Sequence, residues 1–373
     1  MKNGIFCRAA LALLLAAGCA QEKEADSSND GAAAVQSPAR PATKFDGESH
    51  LANIRQITFG GQNAEAYWNY DGTELIFQST RDSLECDAIY RMKADGSNVR
   101  MVSSGNGVTT CSFIAPDGQS IIYASTHLAG DECPPKPDMS QGYVWALYDS
   151  YDIFKADPDG SNLVRLTETP GYDAEAVYSP KGDKIIFTSV RTGDLELFTM
   201  DPDGGNVTQI TDMPGYDGGA FFSLDGEWIC WRASRPEGEE LADYRRLLEQ
   251  GLIRPSKLDI YVMKLDGGEP IRLTDNGAAN FGPYFHPDGK RVIFCSNLHD
   301  KDGRNFDLFL IDIETKQIEQ VTHNDTFDGF PMFSHDGSKL VFASNRNNSE
   351  PYETNVFVAD WTDQAADTTA AGE

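Results

Sequence analysis

Residues 172–211 read as four short apolar runs, at 176–179, 184–189, 195–200 and 207–211, each closed by Gly, Pro or Asp. Runs of this length, rich in β-branched and aromatic residues and bounded by turn formers, read as strands joined in hairpins. Four antiparallel strands in about 40 residues make one propeller blade, and the rest of the chain repeats the unit. Six copies align on the turn between first and second strands: Asp71-Gly72, Asp117-Gly118, Lys181-Gly182, Asp225-Gly226, Asp288-Gly289 and Asp336-Gly337. Asp-Gly suits a hairpin because Gly accepts positive φ and Asp bonds its own turn. A second series, Asp95-Gly96, Asp159-Gly160, Asp203-Gly204 and Asp266-Gly267, joins third to fourth strands.

The last copy stops after a third strand at 355–361 and lacks the closing run found elsewhere as VRLT or IRLT. Residues 53–58, NIRQIT, match that run ahead of the first full repeat. They are therefore expected to pair with the C-terminal blade and close the ring, which removes exposed sheet edges. The expected fold is all-β: a monomeric six-bladed propeller of four-stranded blades over 53–361, with a small helical insert in blade four. That insert follows Ser234. Ser234 and Glu237 match a capping box, Leu241, Tyr244 and Leu248 share a face, and Gly251 and Pro255 end the helix.

The unit YSPDGxxIxFxSxRxG followed by DIYxMxxDGxxxxxLT resembles the WD-like repeat of TolB-type six-bladed propellers. The resemblance implies this fold over nearly all of 53–361 and leaves the activity open, since propellers host many functions. TolB carries an α/β domain before its propeller; here a different segment stands in that place, so TolB's partner, the peptidoglycan-associated lipoprotein, is not carried over.

That segment opens with Lys2 and Arg8 ahead of the apolar run 9–17, too short to span a bilayer and read as a signal peptide over 1–18. It ends LLAAGC, which resembles a bacterial lipobox and makes Cys19 the expected lipidated residue; Ala20 after it implies the outer membrane. Residues 19–52 are too polar to bury a core and are expected to form a disordered tether, with a similar tail at 362–373. The formal charge of −27 becomes −29 once Lys2 and Arg8 leave with the signal (29 basic minus 58 acidic). So acidic a chain argues against nucleic acid and anionic lipid surfaces.

Alternating strand direction puts the Asp-Gly turns on one rim and every irregular loop on the other. On that second rim, loops entering the first strands carry Asn63, Glu65, Thr109, Thr110, Asp173, Glu175, Asp217, Asn280 and Asp328. Converging carboxylates suit Ca²⁺ or the amines of a ligand, while the same residue types also cap turns and bind water. Ser-x-Arg recurs after the second strands, with Arg81, Arg191, Arg346 and nearby Arg235 expected to brace third-strand acids such as Asp87 or Asp194. Blades two and five carry His127 and His299 instead, the positions most open to a ligand. The blade-two insert supplies Tyr143, Trp145, Tyr148 and Tyr151, which either contact a ligand or seal the insert.

Cys86, Cys111 and Cys133 map to this rim, and export permits a disulfide, with Cys133 pinned to Cys86 or Cys111. Cys230 and Cys295 read as small buried hydrophobes. No GxSxG elbow and no His-x-His pair occur. The sequence thus points to a lipid-anchored binding module that recognises an envelope or periplasmic protein, peptide or glycan at one mouth. Its alternative is a metal-assisted hydrolase or lyase acting on a carbohydrate or peptide at the same place.

Overall fold

A computed structural model describes residues 39–140 and 142–363; the signal run, Cys19 and the tail beyond 363 lie outside the described residues. Six antiparallel blades follow one another round a ring. Their first strands are Gln62–Trp68, Thr109–Ile114, Asp173–Tyr178, Asp217–Phe222, Asn280–Phe285 and Asp328–Phe333. In blades one to five, second, third and fourth strands follow in chain order. Blade six takes its fourth strand from the other end of the chain: Leu51–Gln56 lies antiparallel to Asn355–Trp361, with Leu51 opposite Trp361. The closure expected at 53–58 is therefore present, two residues earlier.

The Gly of every first turn has φ between 68° and 73°, the left-handed region that admits Gly without strain. The second and third strands are buried on both faces, so their apolar runs are nearly continuous: Ile185, Ile186, Phe187, Leu197 and Met200 have no exposure.

The ordered ring begins earlier than the polar composition of 19–52 led us to expect. Arg40–Pro41 adds a fifth strand outside Leu51–Gln56, and Glu48 and His50 are buried. Partners explain why polar side chains can be buried here. Glu48 accepts two hydrogen bonds from the buried Arg346, at 2.9 and 3.2 Å, and His50 stacks on Trp361 at 4.7 Å. Thr362 also bonds back to His50, so residue 362, expected in the tail, belongs to the ordered ring.

The blade-four insert forms α1, Gly238–Leu248, with Glu239 and Glu240 in its first turn and Arg245 and Arg246 in its last, charges that suit the helix dipole. Its N-cap is Glu237, which makes no side-chain cap bond. Ser234 is instead committed to the Tyr216 N–H, so the expected capping box does not form. Tyr244 and Leu247 are buried, and Tyr244, with Leu241 and Leu248, packs with Leu195 and Tyr216. The two long inserts also join: Trp145–Ala146 pairs with Leu252–Ile253 in a two-stranded sheet. No helix among the described residues is long and apolar enough to cross a membrane.

Candidate binding site

The ladder between first and second strands breaks at the same place in all six blades, for example between Ala64 and Tyr67 and between Gly218 and Phe221. Each break is a β-bulge holding one residue of positive φ: Glu65, Cys111, Glu175, Gly219, Gly282 and Phe330, with φ from 49° to 62°. A bulge re-aims its side chain, and all six converge on one spot in the channel. Two residues further along each strand stand Tyr67, Phe113, Val177, Phe221, Tyr284 and Met332. Phe221 lies 5.4 Å from both Tyr67 and Tyr284 and 6.4 Å from Phe113, ring to ring. This second ring plugs the channel, so the spot where the bulges meet is the floor of a pocket rather than part of a tunnel.

Above the floor lies a cavity of about 650 Å³. Its walls are aromatic: Tyr143 and Trp145 from the blade-two insert, Tyr151, Tyr172 and Tyr216 at the loops entering strands, and Phe281, Phe306, Phe327 and Phe330 opposite. Its volume and mix of apolar wall with few polar groups fit a small-molecule or side-chain pocket.

At the floor Arg232 reaches inward from the second strand of blade four and pairs with Glu175. Gly219 makes this possible. A Cβ there would lie 2.0 Å from Arg232 Nη1, so only glycine leaves the guanidinium its path. Glu175 also accepts bonds from Thr188 Oγ1 at 2.7 Å, the Gly219 N–H at 2.8 Å and Tyr216 OH at 3.3 Å. The Arg232 Cζ sits 5.5 Å from the ring centres of both Trp145 and Tyr216. Glu65 has no such set of donors. Burial pushes its carboxyl up to about 7, against the pull of a hydrogen bond from the Cys111 thiol and the charge of Arg232. Burial likewise raises the Cys111 thiol and the Tyr172 and Tyr216 hydroxyls well above their ordinary values.

The residues expected at the mouth divide into two sets. Glu65, Thr110, Tyr143, Trp145 and Glu175 line the cavity. Asn63, Asp173, Asp217, Asn280 and Asp328 are buried at the starts of the first strands and do not converge. Arg191 bonds Asp173 at 3.0 Å, Arg235 bonds Asp217 at 2.7 Å, and Arg346 bonds Asp328 at 2.6 Å; Arg81 bonds Asn63 at 3.0 Å. The arginines thus brace first strands, not Asp87 or Asp194 on the third. A buried carboxylate needs a matching charge in reach, and the arginine just past the second strand supplies it. Among the described residues no three His, Cys, Asp or Glu side chains stand together as a metal would require.

His127 and His299 are not released toward the mouth either. His127 bonds Ser125 at 2.9 Å and packs on Phe154, much as Arg191 bonds Ser189 and lies over Phe198. His299 meets Asp307 at 3.1 Å. Cys133 is bonded to Cys86, across 47 residues, leaving Cys111 as a free thiol on the floor; Cys230 and Cys295 are buried.

Sequence reasoning missed Arg232, Tyr172, Tyr216, Phe281, Phe306, Phe327 and Phe330 as lining residues. Gly218-Gly219 inside a first strand was the available signal, since glycine in a strand marks a bulge or a close approach.

The fold and the pocket together define a six-bladed propeller with a plugged channel and a ligand-sized cavity at one mouth. Solved structures share this fold. A putative TolB from Agrobacterium tumefaciens superposes with a TM-score of 0.54 at 19% identity, over 81% of this chain and 91% of that one. TolB from Acinetobacter baumannii gives 0.52 at 19%, over 84% and 66%. An oligogalacturonate lyase in complex with manganese gives 0.52 at 14%, over 87% and 97%. No protein-family model matches the chain. At these identities the likeness is one of fold: the chain is built as a TolB-type six-bladed propeller.

Proposed function

We propose that this propeller is a binding module of the bacterial envelope, exported by its signal sequence and held at the outer membrane by lipid on Cys19. Its mouth takes up a side chain, terminus or sugar ring presented by a protein, peptide or glycan. The observation that carries this reading is the blind, aromatic-walled cavity of about 650 Å³ on the rim where both inserts meet. The lipobox-like run supports the location. Glu175 supports binding over acid–base chemistry, because three donors and an arginine hold it in place.

The test is capture from solubilised envelopes by the full chain and by a Tyr143→Ala, Trp145→Ala variant. Loss of a ligand from the variant alone supports the reading. Equal capture by both moves the interface off the mouth, and chemical conversion of the captured ligand replaces the binding reading with an enzymatic one.

A further inference from the structure

The cavity's floor is charged unevenly, and its walls already hold a cation. Two carboxylates, Glu65 and Glu175, meet one guanidinium, and the Arg232 hydrogen bond goes to Glu175. Among the described residues Glu65 is hydrogen-bonded only by the Cys111 thiol and, at 3.5 Å, by the Tyr67 hydroxyl, with the charge of Arg232 in reach but bonded to Glu175. Arg232 lies against Trp145 and Tyr216, and an aromatic face attracts a cation through its quadrupole. The remaining walls, Tyr151, Tyr172, Phe306, Phe327 and Phe330, border the same space, and among the described residues none of them stacks on a guanidinium as Trp145 and Tyr216 do; the exposed Arg304 also lines the cavity.

We propose that the mouth binds an alkylammonium group, such as a lysine side chain or an amino terminus, with its charge on Glu65 and its methylenes against the aromatic walls. The assignment rests on the mouth-binding reading above and names its ligand chemistry. It follows from what the pocket lacks and what it repeats. An ammonium on Glu65 would equalise the two carboxylates and two cations at the floor, and it would meet a wall of the type that already accommodates Arg232. A carboxylate ligand would place a third negative group beside Glu65 and Glu175. A neutral chain would fill the walls and leave Glu65 as it is.

The groups that face Glu65 are Cys111 from blade two, Glu175 from blade three, Arg232 from blade four, and Asp87 and Tyr67 from its own blade. With its carboxyl raised to about 7 by burial, the empty site is largely protonated in mild acid, and a bound cation favours the ionised form. Ammonium affinity therefore rises with pH through neutrality, and binding releases a proton.

The experiment compares hexylammonium, 1-hexanol and hexanoate on the full chain, by tryptophan fluorescence and by isothermal titration. At pH 8 hexylammonium should bind about tenfold more tightly than hexanol, and hexanoate most weakly. Glu65→Gln should remove that tenfold advantage and leave hexanol unchanged. In the unaltered protein, hexylammonium affinity should climb from pH 6 to pH 8 while hexanol affinity stays level; this profile holds the test open should the variant not fold. Hexylammonium and hexanol binding alike, or a level ammonium profile, would overturn the amine assignment and leave mouth binding standing. Absence of binding by all three would overturn both.

Discussion

Two rings of six residues, two positions apart on the same six strands, have opposite characters. The plug ring, Tyr67, Phe113, Val177, Phe221, Tyr284 and Met332, is apolar throughout, and its members touch across the channel. The bulge ring, Glu65, Cys111, Glu175, Gly219, Gly282 and Phe330, holds acids, a thiol, two glycines and an aromatic ring. Sixfold repetition supplies equal backbone positions to both, and the side chains make one a seal and the other a floor. A symmetric ring can pack well on its own axis. Binding one ligand requires that the symmetry be broken, and the break lies in the bulges.

The largest effect should come from opening the seal. Phe221→Ala removes a buried ring that touches three others and should cost about 3–5 kcal/mol, read as a lower denaturant midpoint, with the cavity now continuous to the far rim. Loss of under 1 kcal/mol would mean that the plug is not a packed unit. Next, Gly219→Ala should displace Arg232 from Glu175 and leave buried charge less well paired, at about 2–4 kcal/mol; ligand capture should fall with it, whereas Gly72→Ala on the far rim, where nothing lies within 4 Å of the added Cβ, should cost only the strain of its positive φ and leave capture intact.

Cys133→Ser tests whether the insert-built wall depends on its covalent pin. Opening a 47-residue loop should cost about 2–4 kcal/mol and weaken capture at the mouth without changing the plug. The last effect appears only as pH changes, and it falls on Glu65. Its folded-state value, raised to about 7, lies above that of the unfolded chain, so its stabilising share is complete in acid and is lost as pH climbs from about 4.5 through 7. Glu65→Gln should be more stable than the unaltered chain at pH 8, by up to about 3 kcal/mol for a rise from 4.5 to about 7, and no more stable at pH 4. Equal differences at both pH values would show that Glu65 does not titrate as its surroundings require.

Much of the braces was also legible along the chain. In three blades an Asp at the start of the first strand, Asp173, Asp217 or Asp328, meets an arginine just past the second, Arg191, Arg235 or Arg346, and blade one sets Arg81 against Asn63. Blade two has Thr109 with His127, and blade five has Asn280 with Leu298. Wherever the first position is an acid the second is an arginine, which marks a buried pair. We expected those acids at an open mouth because Asp and Asn are common in turns. Their burial depends on where the second strand's arginine lands, and a pattern of strands does not specify that.

Blade count, ring closure, the rim that carries the inserts and the aromatic character of the mouth were determined by the sequence itself, because each rests on local features: alternation over five or six residues, Asp-Gly turns, and a closing run placed at the wrong end of the chain. Tertiary structure alone decided which residues share the floor. Glu65, Cys111, Glu175 and Arg232 come from four blades, and a bulge turns each first-strand member toward the axis by a change of one residue's φ. At Glu65, Cys111 and Glu175 no glycine marks that change in the sequence, as Gly218-Gly219 does in blade four. Likewise Cys133 took Cys86 over Cys111, and Glu48 joined the ring through Arg346, since both choices depend on distances between segments that meet only after the ring has closed.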